Sequence, residues 1–213
     1  TIFTKFPIKK SDDKDLANAS VVIWTTTPWT IPGNRALAYS KDISYSLFKV
    51  LEIIEGSHST VGDEVIIADE LAEHFKEKCK IEKLEKIKSL EDISNIVCNH
   101  PFHNSGYEFD VNLYHADFVT LEQGTGFVHI APGHGPDDYE LGKANGVEVP
   151  ETVDKDGIYF NHVPLFHGKK IFNDDGSDAE ANVAVIIELR NHNALSGKGS
   201  LRHSYPHSWR SKA

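Results

Sequence analysis

One stretch near the middle of the chain combines a short apolar run, a turn rich in glycine and proline, and two adjacent carboxylates. Residues 127–130 predict a short buried strand. Pro136 suits the first turn of a helix, and the residues that follow can continue that helix to about Gly146. Asp137 and Asp138 then lie in the first turn, where the helix dipole favours the ionised carboxylate. A strand, a tight turn and an acidic helix start are therefore expected in that order.

A threonine-rich stretch follows an apolar run earlier in the chain. Residues 21–24 predict a strand core, and Thr25, Thr26 and Thr27 extend it with residues that favour strands. In a strand, Thr25 and Thr27 share one face and Thr26 lies on the other. A proline ends this strand, and residues 29–34 predict a tight loop.

The remaining segments predict a single β-rich α+β domain without repeats or linkers. A helix is expected at 69–80, and a second at 177–189, where Ser177 caps the helix and Glu180 completes a capping box. Residues 81–93 fit a strand or a helix equally well, and 195–199 predict a loop. Further strands are expected at 2–6, 45–51, 64–67, within 108–121, and at 158–160 and 169–172.

Composition excludes several classes of protein. The chain has 213 residues, of which 39% are hydrophobic and 25% charged, as in globular proteins. No apolar run approaches the roughly 20 residues of a membrane span, so no membrane partner is expected. Two cysteines indicate a reducing compartment, and the absence of methionine predicts a piece of a longer protein. A net charge of −10 argues against a domain that binds nucleic acid by itself through many phosphate contacts.

Common catalytic motifs are missing. No Gly-x-Ser-x-Gly elbow occurs, and neither Gly-x-Gly pair in 124–135 has the third glycine of a dinucleotide loop. Cys98, His100 and His103 lack the second ligand pair of a zinc site, and we expect structural or surface roles for them and no metal.

Two blocks remain, and together they carry a resemblance. The first block is Thr25-Thr-Thr-Pro-Trp-Thr-Ile-Pro-Gly-Asn34, and the second is Gly124-Thr-Gly-Phe-Val-His-Ile-Ala-Pro-Gly-His-Gly-Pro-Asp-Asp138. The pair resembles the signature of the editing domain of isoleucyl-tRNA synthetases, also called connective polypeptide 1. Valyl and leucyl enzymes carry Arg-Pro after two threonines and usually Pro-Ala-His-Asp in the second block, and this chain has neither. Residues 200–213 are similar to the segment that returns to the catalytic domain, although Ser208 stands where many members have cysteine.

The resemblance implies a β-barrel-like editing domain with flanking helices. Residues 1–213 would be one editing domain excised from a larger cytoplasmic synthetase, with 200–213 as the return segment. The signatures His-Ile-Gly-His and Lys-Met-Ser-Lys-Ser are absent. ATP and magnesium are therefore expected only in the catalytic domain of the parent enzyme, with no cofactor and no ligase activity in this chain.

The resemblance also implies an activity, which is hydrolysis of the aminoacyl ester of mischarged Val-tRNA(Ile), with valyl-adenylate as a further candidate substrate. The partners would be the valine-carrying 3′ end of tRNA(Ile) and the remainder of the parent synthetase. Asp138 would bind the substrate ammonium, and His129 would size the side chain and help to position water or ribose. The residues implied to line the pocket are the catalytic candidates Thr25, Thr26 and Thr27 and the substrate-binding candidates Thr30, Asn34 and Trp29.

Two other functions stay open at this point. The chain can be a non-catalytic module that binds a tRNA 3′ end, in which case the two blocks serve only packing. It can also be a free-standing hydrolase of misacylated tRNA. The editing function predicts that the two blocks, although about ninety residues apart, meet in space, because neither block alone offers partners for all the groups of the substrate.

Overall fold

The computed structural model describes residues 1–199, so the predicted return segment at 200–213 lies outside the described residues. Within residues 1–199, one mixed sheet carries most of the regular structure. Its strands are β1 Ile2–Lys10, β2 Ser20–Thr25, β3 Ala36–Tyr39, β4 Tyr45–Ile53, β5 Glu64–Ala68, β6 Ile81–Leu90, β7 Val97–Asn99, β8 Asp110–His115, β9 Val128–Ile130 and β10 Leu195–Lys198.

Helices flank the sheet, and together with it they confirm the predicted α+β class. The α-helices are α1 Ala72–Lys78, α2 Pro136–Ala144 and α3 Glu180–Asn191. Short 3-10 helices span Lys14–Leu16, Pro28–Gly33 and Asp69–Leu71. Among the described residues, no helix has the length and apolar character that crossing a membrane would need.

The strand order is β6-β4-β5-β2-β1-β7-β8-β3-β9, and β10 pairs with β1 outside this path. The pairs β2–β5 and β3–β8 are parallel, and the other pairs are antiparallel. Within the described part of the chain β9 does not pair with β6, so the sheet is not closed. The first half of β1 pairs with β2 and its last residues pair with β7, so β1 joins the two halves of the sheet.

The core lies between the sheet and the segments that cross its face. Fully buried side chains of β1 and β2, such as Phe6 and Ile23, pack in one cluster with Val185 and Leu189 of α3. The same helix contacts the 3-10 helix Pro28–Gly33. The core therefore fixes the first block between the end of β2 and the inner face of α3.

Three segments differ from the sequence expectations, one because it pairs with a distant strand and two because they form only isolated bridges. Residues 195–199 were expected to be a loop, but Leu195–Lys198 forms β10 on β1. Residues 158–160 and 169–172 form only isolated bridges, such as Ile158 with Lys170, and are not strands of the sheet. Short stretches take their conformation from the neighbour that pairs with them, which local composition does not reveal.

The ambiguous segment 81–93 contains a strand, β6. Bulges interrupt its pairing with β4, so the strand lacks the regular alternation of buried and exposed side chains. Lys86 and Lys88 face consecutive residues of β4, so Ile87 is the extra residue of a bulge and its side chain is 48% exposed. Ile81 and Leu84 pack in one apolar cluster and Leu90 packs against another, so the spacing of three does not mark a single buried face.

The predicted cap of the last helix was wrong. Helix α3 begins at Glu180, and Ala179 occupies the N-cap position without a side-chain hydrogen bond. The Ser177 hydroxyl instead donates to Asp175 Oδ1 at 2.6 Å. The Glu180 carboxylate accepts from the backbone N–H of Lys170 at 2.9 Å, so both groups of the expected capping box have other partners.

Candidate functional site

The first block turns sharply at the end of β2. The strand ends at Thr25, so the expected continuation through Thr27 was wrong. The backbone N–H of Thr27 donates to Thr25 Oγ1 at 3.1 Å, and the two hydroxyl oxygens lie 3.2 Å apart. Pro28 begins a 3-10 helix because proline lacks the N–H that a strand would require. The turn still brings the hydroxyls of Thr25 and Thr27 together, through a local hydrogen bond and not through a shared strand face.

The second block has the predicted order of strand, turn and helix. Strand β9 ends at Ile130, and α2 begins at Pro136 with Asp137 and Asp138 in its first turn. Asp138 Oδ2 accepts a hydrogen bond from the backbone N–H of Ala131 at 2.8 Å. This carboxylate therefore closes the turn by joining the helix start to the end of the strand.

Two contacts hold the residues that lead into β9. The Thr125 hydroxyl donates to the Val22 carbonyl oxygen at 2.6 Å, and the Thr125 carbonyl accepts from Ala68 N at 2.8 Å. Gly126 has a φ of +80°, and a Cβ there would lie 2.5 Å from the Ala68 side chain. Only glycine fits this position, which presses the second block against β2 and β5.

The two blocks meet, as predicted. His129 on β9 pairs with Leu37 on β3, which places its ring beside the 3-10 helix of the first block. The distance from Thr30 Oγ1 to His129 Nε2 is 2.8 Å, although the residues are 99 positions apart. Asn34 Nδ2 lies 3.4 Å from His129 Nδ1. Both imidazole nitrogens therefore contact the first block.

These contacts define the protonation of His129. The Asn34 amide can only donate to Nδ1, so Nδ1 is the acceptor. The Thr30 hydroxyl donates to the Thr27 carbonyl oxygen at 2.9 Å, so it accepts the proton carried by Nε2. Burial, followed by repulsion from His134, lowers the pKa of His129 to about 4. The imidazole is therefore neutral at pH 7 with both nitrogens engaged, which suits positioning better than proton abstraction.

Asp138 has a different environment from Asp137. Asp138 is half-buried and Asp137 is exposed. Burial raises the pKa of Asp138, while the hydrogen bond from Ala131 N opposes that shift. Among the described residues only Oδ2 receives a hydrogen bond, which leaves Oδ1 able to accept from a ligand. Of the two adjacent carboxylates, Asp138 thus has the geometry of an anchor for a cation.

Trp29 packs within the site and is held at its backbone. Its ring stacks edge-on against His134 with centroids 4.9 Å apart. The Trp29 N–H donates to Asn182 Oδ1 at 3.0 Å, and the Tyr159 hydroxyl donates to the Trp29 carbonyl oxygen. Sequence reasoning missed Asn182 and Tyr159, because neither lies near the block in sequence and no local pattern marks either one.

The eight predicted site residues form two layers by exposure. Asn34 is fully buried, and Thr25, Thr30 and His129 are 6–8% exposed. The half-buried outer layer contains Thr26, Thr27, Trp29 and Asp138. A ligand can reach the outer layer directly, whereas Asn34 lies behind His129 and acts on the site through it.

A cleft of about 510 Å³ adjoins this cluster. His134, Thr152, Glu151, Lys155 and Phe160 contribute to its lining. His134 lies in the turn between β9 and α2, and its Nε2 lies 2.7 Å from Thr152 Oγ1. Its ring also contacts Trp29, so His134 separates the cleft from the first block.

The other histidine pattern has a structural role. His100 is fully buried, its ring stacks on Tyr107 at 4.5 Å, and its Nε2 donates to the Ile31 carbonyl oxygen at 3.0 Å. Cys98 is also buried. Within residues 1–199, no group of three or more His, Cys, Asp or Glu residues is arranged to hold a metal ion. The expectation that the domain needs neither metal nor cofactor stays a prediction.

The two buried histidines predict acid sensitivity. Burial lowers the pKa of His100 to about 3 and that of His129 to about 4, against about 6.5 in an unfolded chain. Their contribution to stability is present above pH 6.5 and is lost as pH falls, because only the unfolded chain binds the protons. The free energy of unfolding should fall by up to about 2.7 kcal/mol per pH unit below pH 6.5. Urea unfolding between pH 7.5 and 5 measures this slope, and His100→Phe should remove about half of it. An unchanged slope in that variant would contradict this origin.

Comparison with known proteins reveals close relatives. Isoleucine–tRNA ligase of Pelagibacter ubique is 45% identical over 215 residues, covering 100% of this chain and 22% of the ligase. The ligase of Bradyrhizobium diazoefficiens is 43% identical, covering 99% and 22%, and that of Caulobacter vibrioides is 44% identical, covering 100% and 23%. This chain is homologous to a segment of isoleucyl-tRNA synthetases. The resemblance carried by the two blocks is confirmed.

The homologous segment spans less than a quarter of the length of these isoleucyl-tRNA synthetases. No protein-family model matches the chain. Two solved structures are also similar at low identity. The crystal structure "GlLeuRS-CP1" has a TM-score of 0.49 and 17% identity over 69% of this chain and 59% of its own. The editing domain of the P. falciparum cytosolic leucyl-tRNA synthetase has a TM-score of 0.44 and 12% identity over 68% and 57%.

Proposed function

We propose that this chain is an editing domain that hydrolyses the aminoacyl ester of Val-tRNA(Ile). The observation that supports this proposal most strongly is the convergence of the two blocks in a segment of isoleucyl-tRNA synthetase ancestry. Hydroxyl groups, a neutral imidazole and an ionisable carboxylate lie in that cluster. The working compartment would be the cytoplasm, and the partners would be tRNA(Ile) and the rest of the synthetase.

An editing domain corrects errors that arise because a binding pocket selects amino acids by side-chain size with limited accuracy. One extra methylene contributes only about 1–3 kcal/mol in a hydrophobic pocket, and isoleucyl-tRNA synthetase is itself the standard example of this limit. Valine therefore enters a site built for isoleucine. A second site that admits valine and excludes isoleucine restores accuracy by hydrolysing the wrong ester.

The substrate offers an ammonium, a small branched side chain and a ribose, and each has a candidate partner. The Asp138 carboxylate would bind the ammonium through the oxygen that is not bonded to Ala131. The hydroxyls of Thr26 and Thr27 would contact the ribose or the attacking water. His129, held by Thr30 and Asn34, would form the wall that limits side-chain size.

The reaction needs positioning more than strong acid–base chemistry. Water adds to the ester carbonyl carbon, the bond from that carbon to the ribose oxygen breaks, and the ribose oxygen leaves with a proton as a hydroxyl group. Because His129 is neutral and engaged at both nitrogens, we assign the catalytic effect to fixed geometry, with substrate hydroxyls sharing the proton transfer. No covalent intermediate with the protein is required.

Deacylation assays test the proposal directly. The purified chain, in excess, is mixed with Val-tRNA(Ile) or Ile-tRNA(Ile), and the remaining ester is followed with time. Loss of the valyl ester alone is the expected result. Binding of both tRNAs without hydrolysis would identify a non-catalytic 3′-end module, and equal hydrolysis of both esters would identify a general hydrolase. Either of those outcomes would reject the proposal.

His129→Ala should weaken the exclusion of isoleucine. The substitution removes the buried ring between the two blocks and leaves space that a longer side chain can occupy. The ratio of Val-tRNA(Ile) to Ile-tRNA(Ile) hydrolysis should fall by about 10-fold, the lower end of what one methylene contributes. A reduced rate with an unchanged ratio would make His129 a positioning residue and not a size filter.

A further inference from the structure

A second cleft, which we call the basic cleft, lies outside the two blocks. It has a volume of about 440 Å³ and opens between the loop that joins β4 to β5 and the end of α3. Its polar lining includes Ser57, His58, Thr60, Arg190 and Asn193. None of these residues has a role in the site described above.

Cations converge on this cleft. Arg190 lies in the last turn of α3, where a cation is common because the helix dipole favours it. The Lys80 ammonium reaches the same place from another element, since its Nζ would lie 3.1 Å from a Cβ added to Gly56. Burial, followed by repulsion from Arg190, Lys198 and Lys80, lowers the pKa of His58. Three separate segments thus direct positive charge towards one loop.

Neighbouring acids do not cancel this charge. The loop itself carries two carboxylates, Glu55 and Asp63. Asp63 Oδ2 is already engaged, because it accepts from Lys5 Nζ at 2.8 Å and from Thr60 N at 3.0 Å. Within residues 1–199, Arg190, Lys80 and Lys198 form no ion pair with an acidic side chain. Glu55 opposes these three cations with a single negative charge, so the cleft keeps excess positive charge in a chain whose net charge is −10.

The loop that carries the cleft is held in place. The Ser57 hydroxyl donates to the Cys79 carbonyl oxygen at 2.6 Å, and the Ser59 hydroxyl donates to the Ser196 carbonyl oxygen at 3.1 Å. The Ser59 N–H donates back to Ser57 Oγ at 3.1 Å. These bonds attach the loop to the end of α1 and to β10, so little conformational entropy would be lost when an anion binds.

We propose that the basic cleft binds a backbone phosphate of the RNA whose 3′ end enters the candidate site. The identification of the ligand as RNA rests on the proposed function, while the phosphate chemistry rests on the cleft itself. Helix α3 links the two places, because Asn182 holds Trp29 and Arg190 lies about 12 Å further along the helix. A single RNA strand can therefore span the distance between the candidate site and the basic cleft. On an otherwise acidic chain, this cleft provides the local attraction that its phosphates require.

The test compares two pairs of substitutions with the same loss of charge. The double variant Arg190→Gln/Lys80→Gln removes two cations from the cleft, and Lys10→Gln/Lys14→Gln removes two exposed cations elsewhere. Lys10 lies eight residues along β1 from Ile2, which pairs with Lys198, so it is about 26 Å from that end of the strand. Binding of an unacylated RNA hairpin with a single-stranded 3′ tail is measured over a range of salt concentrations, with inorganic phosphate as a second probe.

The cleft variant should bind RNA more weakly, and the slope of log K against log salt should shrink by about 0.7–0.9 for each lost phosphate contact. The control variant should keep the native slope. Equal losses of RNA affinity in both variants would show a bulk charge effect and overturn the proposal. An unchanged salt slope in the cleft variant would also overturn it. Loss of inorganic phosphate binding in the cleft variant, with RNA binding unaffected, would identify a small-anion site instead and overturn the proposal. Hydrolysis of Val-tRNA(Ile) by the native chain is scored separately, so failure of the cleft and failure of the editing activity are distinguishable.

Discussion

Asp138→Asn is expected to slow hydrolysis of Val-tRNA(Ile) by about 100-fold or more while leaving the fold nearly intact. Asparagine keeps an oxygen that can accept from the Ala131 N–H, so the turn between β9 and α2 stays closed. The negative charge is lost, however, and the substrate ammonium would be buried without a partner. Removing one member of a buried ion pair typically costs about 3–5 kcal/mol, which is at least 100-fold in rate.

Companion variants separate the charge from the hydrogen bond. Asp138→Ala should lose the activity and also about 1.5–3 kcal/mol of stability, because the Ala131 N–H loses a charged acceptor. The helix dipole alone would have predicted a smaller loss of about 0.3–1 kcal/mol. Asp137→Ala is the matched control, since this neighbour is exposed and its loss should leave hydrolysis largely unchanged. Deacylation rates and thermal unfolding are measured for all three variants.

The pH dependence gives an independent check on Asp138. Burial raises its pKa, so ionisation needs a higher pH than for an exposed aspartate. Binding of the ammonium would therefore weaken as pH falls towards that raised pKa, and the Asn variant would lose this dependence. If the Asn variant hydrolyses the valyl ester normally while Asp137→Ala does not, the anchor is the other carboxylate. If both variants are active, ammonium anchoring is the wrong mechanism.

Local signals predicted the second block well. A glycine- and proline-rich turn between an apolar run and an acidic helix start has few possible conformations, and the structure places β9, the turn and α2 as expected. The contact between the blocks was predictable only from the resemblance and from the chemistry that it implies. Nothing in the spacing identified Thr30 and Asn34 as the partners of His129, because Thr30 lies 99 positions away.

Other elements depend on partners that local sequence does not encode. Strand β10, with the sequence Leu-Ser-Gly-Lys, has weak strand preference, and β1 supplies its pairing. The capping box at Ser177 fits the pattern, but Asp175 offers the hydroxyl a closer acceptor. Strand β2 ends at Thr25 and not at Thr27, because a side-chain hydrogen bond and Pro28 favour a turn. In each case one tertiary or side-chain contact overrides a modest local preference.

Asn34→Asp should be the most destabilising single-atom exchange in the site. The amide nitrogen of Asn34 donates to the Ala36 carbonyl oxygen at 2.9 Å and lies 3.4 Å from His129 Nδ1, an acceptor. A carboxylate oxygen in its place would face two acceptors in a fully buried position. Because an uncompensated buried charge costs about 3–5 kcal/mol, we expect the free energy of unfolding to fall by that amount at pH 7.

The loss of stability in Asn34→Asp should reverse on acidification. A simple packing defect would not show this pH dependence. The introduced carboxyl can donate to the Ala36 carbonyl only when protonated, so its pKa in the folded chain is raised above the unfolded value of about 3.9. Relative to the native chain, the variant is then most stable at low pH and loses about 1.4 kcal/mol per pH unit as pH rises between those two values. Urea unfolding of both chains from pH 4 to 7 measures this difference, with Asn34→Leu as the uncharged control. A pH-independent difference would contradict the unpaired buried carboxylate, because it would mean that His129 places a proton on Nδ1 and pairs with the introduced side chain.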